Sequence, residues 1–182
     1  MNLREMILHE NSKLNWQKTA RFIGSDKSKM HELMQWFFSK EKRIAQLSAQ
    51  IIALVYDENP DMVRPYLTQM VQYLSENPID AVKRIIIRTF QFEDVPEESE
   101  GIFFDHAIGY LKDADESIAV KAFSMTAIRK ICDKYPELSV EAIPFIEILV
   151  EEKVSPGIVH RGKQELEKLY KIHKNGSGKT IS

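Results

Sequence analysis

The stretch that decides the fold is Asp113-Ala114-Asp115-Glu116-Ser117-Ile118-Ala119-Val120-Lys121-Ala122-Phe123-Ser124-Met125-Thr126-Ala127-Ile128-Arg129-Lys130-Ile131. Its apolar members recur at three- and four-residue spacing, as one face of a helix requires. A step of 38 residues back from Val120 reaches Val82, a second step reaches Ile44, and a step forward reaches Ile158. The same step links Ser48, Ile86, Ser124 and Gly162, and then Ile52, Phe90, Ile128 and Leu166. A fixed period of this length is the sequence signature of a repeat array, in which each unit buries its apolar face against its neighbours.

The rest of the chain agrees with stacked helices. It has 182 residues, 43% hydrophobic and 29% charged, enough for a proper core. Glycine and proline number only 7 each, which suits helices joined by short turns. The net charge of −2 argues against a nucleic-acid binder held by bulk electrostatics. A single cysteine, Cys132, excludes an internal disulfide and reads as a buried structural thiol. No run approaches the length of a membrane span and the start has no cleavage-like site, so a cytoplasmic protein is expected.

Read in order, short helices are expected over 2–10 and 14–23, the second stopped by Gly24. Ser25-Asp26 offers an N-cap for a helix over 27–39. Helices then follow over 43–57, 62–75, 79–92, 97–112, 118–135 and 138–152, and a last one runs from Ser155-Pro156 to about His173. Pro60, Pro78, Pro96 and Pro136 punctuate them, and Pro144 falls inside a helix, where it removes one backbone donor. Leu14 and Ile102 count among the apolar members of their helices. Residues 1–173 thus read as a single helical domain, with 174–182 as a disordered tail. The tail holds Gly176-Ser177-Gly178-Lys179-Thr180, but a phosphate loop needs a glycine where His173 stands, and a preceding strand.

The segment Val120 to Ile131 resembles the second helix of a HEAT repeat, and Leu111-Lys112-Asp113-Ala114-Asp115 resembles that family's inter-helix turn, about two residues longer than the common form. Val82-Lys83 matches more loosely, while Ala45 and Val159 stand where the family has a basic residue. The resemblance covers roughly residues 27–172. It implies an all-α, armadillo-like fold: a right-handed α-α superhelix, or solenoid, of about four stacked helix pairs. Such pairs present a concave surface that binds protein or nucleic acid. The architecture is also distantly similar to HEAT-like DNA alkylation repair proteins.

Charge alternates between the helices. Residues 79–92, 117–135 and 157–174 carry +2, +3 and +3, while 60–76, 96–112 and 136–153 carry −1, −3 and −4. On the resemblance, the basic layer is the concave one. With Val120, Ser124, Ala127 and Ile131 inward, Thr126 and Arg129 point away from the core. The period carries that register to Gln46 and Gln50, to Arg84, Arg88 and Gln91, and to His160 and Gln164. This strip of Gln, Arg, Thr and His is the expected binding ridge, since such side chains suit phosphate, carboxylate or peptide backbone. The competing reading is a solvated charged face, with Lys83 and Lys121 paired to turn acids such as Asp113 or Asp115.

Catalytic signatures are missing. The five histidines show no metal-ligand spacing, and His31-Glu32-Leu33-Met34-Gln35 has Gln35 where a zinc motif needs a second histidine. Asp105-His106 are adjacent in a helix and do not face each other. No catalytic residue, metal or cofactor is therefore assigned. The expected function is a binding or scaffold module whose groove takes a protein or peptide, with nucleic acid as the second class of partner. The alternative is a nucleic-acid-binding protein or a repair glycosylase. That chemistry would need exposed aromatics, for which Trp16 and Trp36 are candidates, and a groove carboxylate, for which the register offers only Glu167.

Overall fold

The computed structural model describes residues 2–177 and is helical, with no strand among the described residues. The chain divides into two compact units, Met1–Ile86 and Ile87–Ser182.

The first unit holds α1 (Leu3–His9), α2 (Lys13–Ile23), α3 (Lys27–Phe37), α4 (Lys42–Glu58) and α5 (Leu67–Leu74), while α6 (Asp80–Thr89) crosses into the second. Polar side chains set the helix starts. Asn2 and Glu5 form a reciprocal capping box on α1, and Asp26 accepts from the Ser28 and Lys29 amides. The backbone bonds to Asp26 hold its carboxyl below the usual range. The Asn15 side chain donates to the carbonyls of Met6 (2.9 Å) and Glu10 (3.0 Å), tying α2 to the end of α1. Gly24 ends α2 with φ +51°, a conformation that costs glycine little. The α4 helix packs on α1, α2 and α3, and buries Ile44, Leu47, Ile51 and Ile52 completely.

Three details of this unit depart from the sequence reading. The helix expected over 62–75 begins only at Leu67, preceded by two 3-10 turns that hold Pro60 and Pro65, Pro60–Met62 and Arg64–Tyr66. A proline ring crowds the preceding helical turn and removes a backbone donor, which disfavours a continuous α-helix there. Leu14 is 59% exposed, because α2 turns Asn15, Thr19, Ala20 and Ile23 inward instead. Phe37 is fully buried, whereas Trp16 and Trp36 are half-buried.

The second unit holds α7 (Glu100–Lys112), α8 (Ile118–Lys134), α9 (Ser139–Glu151) and α10 (Pro156–Ser177). Antiparallel pairing is enforced by short turns: α8 packs on α7 and α10, and α9 packs on α10 and α7. Phe90 and Phe103, both buried, meet edge to face at 4.8 Å. Gly162 is a close-approach position, since a Cβ there would lie 2.4 Å from a Val150 methyl. The α10 helix can approach α9 this closely only without a side chain. Ile102 is 45% exposed on α7, whereas Phe103, Phe104 and Ala107 turn inward. Cys132 is buried, and burial together with the neighbouring Asp133 charge raises its thiol to about 12. It is thus a protonated, inert core group at neutral pH.

The expected tail is corrected in part. Residues 174–177 belong to α10, and Gly176 reaches Pro136, where a Cβ would sit 2.6 Å from the proline Cβ. Residues 178–182 lie outside the described residues.

Candidate functional site

The helices α6, α8 and α10 carry the repeat register. Val82, Val120 and Ile158, spaced by 38, are all buried, as is Ile44. In α10 the register changes character. The positions one period apart are Ile51, Thr89, Ala127 and Glu165, and also Leu47, Ile85, Phe123 and Arg161. Two charged residues therefore stand where the earlier repeats have apolar or small ones.

Helix geometry turns those two residues toward α8. Arg161, Glu165 and Lys168 recur along α10 at spacings of four and three, and Thr126, Arg129 and Asp133 along α8 at three and four. The two rows interlock. Arg161 Nη1 donates to Thr126 Oγ1 (2.7 Å) and to Gln91 Oε1 (2.7 Å). The Thr126 hydroxyl then donates to Glu165 Oε1 at 3.0 Å. Glu165 Oε2 accepts from Arg129 Nε (3.1 Å) and lies 3.6 Å from Lys168 Nζ. Arg129 also pairs with Asp133. Glu165 is only 3% exposed, so its charge depends on these partners rather than on water.

The expected ridge residues fall into separate groups. Gln91, Thr126 and Arg129 are half-buried members of this seam. His160 and Gln164 are exposed on α10 beside it. Arg88 is half-buried on α6, with its guanidinium 5.8 Å from the Phe92 ring centroid. Arg84 on α6 is half-buried; on α4, Gln46 is exposed and Gln50 half-buried.

The sequence reading missed Arg161 and Glu165, and it named Glu167 as the groove carboxylate. Glu167 is exposed and bonds Lys171 on its own helix, which holds its carboxyl below the usual range. The signal was present, since a carboxylate one period beyond Ala127 has to be buried, and a buried carboxylate needs a cation. Lys121 is buried, and among the described residues it forms no ion pair with Asp113 or Asp115.

Among the described residues no group of three or more His, Cys, Asp or Glu is arranged to hold a metal ion. No helix is long and apolar enough to cross a membrane. The seam is a mixed-charge polar surface. Its guanidiniums are oriented by neighbours within the fold, so their remaining donors are preorganised for carboxylate or backbone carbonyl.

A family model for the HEAT repeat domain matches residues 3–169, and the chain belongs to this family of helical repeat proteins. The match accounts for the 38-residue period and the paired helices, and lends nothing to the alkylation-repair similarity. No curated protein and no solved structure matches the chain significantly. HEAT repeats generally act as protein-interaction scaffolds.

Proposed function

We propose that the chain is a non-catalytic interaction module whose second unit holds a polar segment of a protein partner along the α8–α10 seam. One observation carries this reading: of the three cations of the seam, Arg129 and Lys168 are paired with carboxylates, and Arg161 is held by the neutral side chains of Gln91 and Thr126. Arg129 is committed to Glu165 and Asp133, and Lys168 also leans on Glu165. A phosphate backbone rewards an excess of free positive charge. A polypeptide rewards fixed donors and acceptors of both signs, which the seam supplies. Arg84, Arg88, Gln46 and Gln50 occupy the same sequence register in the earlier repeats, and the same partner class is proposed for them.

Affinity capture with the full chain tests the reading. Arg161→Gln removes the donor shared by Gln91 and Thr126, and Gln164→Ala changes an exposed neighbour without touching the network. Both variants should release the same partner proteins from a cell extract, relative to wild type and to a Lys18→Gln control in the first unit. An unchanged set of partners in both variants would contradict the proposal.

A further inference from the structure

The second unit has another surface, of opposite character. Between the segment 93–100 and α8 lies a cleft of about 510 Å³ with Phe90, Val95, Ala127 and Ile131 in its wall. It adjoins a second cleft of about 360 Å³, walled by Phe104, Tyr135 and Leu138, and the two share Glu97, Glu100 and Ile131. Such volumes suit side-chain-sized occupants.

The charge around these apolar walls is one-sided. Five carboxylates line the first cleft and five the second, with Glu97 and Glu100 common to both. The two cations of the lining, Lys130 and Lys134, are already engaged. Lys130 pairs with Asp94 at 3.0 Å and donates to the Glu93 carbonyl, and Lys134 sits 3.0 Å from Glu100. Glu97, Asp105, Glu137 and Glu141 are exposed and carry no ion pair among the described residues. They are strung along the two clefts rather than gathered, and nowhere do they form a metal-binding group.

We infer that this double cleft docks a cationic, amphipathic segment of a partner protein. Apolar side chains of the segment enter over Val95 and Ile131 in one cleft and over Leu138 in the other. Its lysines or arginines lie against Glu97, Glu137 and Glu141 on the rim. Apolar contact supplies the affinity, and the acidic rim supplies partner choice and a fast association rate. The surface shares Asp133 with the α8–α10 seam, but the variants Glu97→Gln, Glu137→Gln and Glu141→Gln lie outside the seam.

The probe is a short fluorescent peptide alternating lysine and leucine, titrated into the full chain and followed by anisotropy. The triple variant Glu97→Gln, Glu137→Gln, Glu141→Gln changes exposed side chains only, and circular dichroism checks that it folds. Its affinity should fall about tenfold, since three exposed ion pairs are lost. Replacing the leucines of the peptide by serine should weaken binding as well. Hydrogen exchange in the complex should show protection over 93–105 and the end of α8. Three results would each overturn the inference: equal binding by the triple variant, equal binding of the serine peptide, or protection elsewhere. Absence of binding at low salt, or displacement by spermine as effective as by the leucine-containing peptide, would overturn it too.

Discussion

Glu165→Ala lowers the stability of the protein by about 3 kcal/mol, the amount expected when one partner of a buried ion pair is removed. Glu165 is the most enclosed member of the seam, and both its oxygens are used. Without it Arg129 keeps only Asp133, and the Thr126 hydroxyl loses its acceptor. The loss stays near the lower end of the range because the Arg129 side chain is 19% exposed and water relieves part of its charge. The control is the double change Glu165→Leu with Arg129→Leu. Replacing both members of a buried pair by apolar groups is often close to neutral, so the double variant should recover most of the loss. Urea denaturation followed by circular dichroism measures all three proteins. If the double variant is as unstable as Glu165→Ala, the pair is not what the residue is for.

Phe103→Ala has the largest expected effect, about 4 kcal/mol. Phe103 is fully buried on α7, and its ring meets that of Phe90 edge to face. Truncation removes the ring's transfer energy, leaves a cavity in close-packed surroundings and abolishes the aromatic pair. Phe103→Leu keeps most of the volume and should cost less than half as much. The same denaturation experiment reads both. Equal losses for alanine and leucine would mean that the site collapses freely and that the pair contributes little.

The fold was legible because a repeat states its core several times. Val82, Val120 and Ile158 occupy one register, and each occurrence confirms the others. The hydroxyls of Ser48 and Ser124 share the register four residues further on, and both are buried without a hydrogen-bond partner. Gly162, at the same position, is explained by a contact with Val150 that only the three-dimensional packing reveals. The site was legible where its residues point away from the core, as with Gln91, Thr126 and Arg129. It was missed where the register itself was broken. Arg161 and Glu165 stand at apolar positions, and a reading that carries one repeat onto the next assigns them to the core by default. Their partners lie 35 and 39 residues away along the chain, a pairing that helix periodicity does not encode. The break at Pro60 was readable in kind but not in extent, because whether a proline starts a helix or forces 3-10 turns depends on what its neighbours bury.

The measurement that bears most directly on the central claim is a salt titration of wild-type protein with fluorescent double-stranded DNA. With Arg129 and Lys168 already paired and Arg161 alone among the seam cations without a carboxylate, the account predicts weak binding at low salt, with no steep dependence on ionic strength. Affinity falling with a log–log slope near about −3.6, the value for roughly four phosphates neutralised, would contradict it. The arginines would then be free to hold a nucleic-acid backbone, and the α8–α10 seam would be a nucleic-acid surface rather than one for a protein partner.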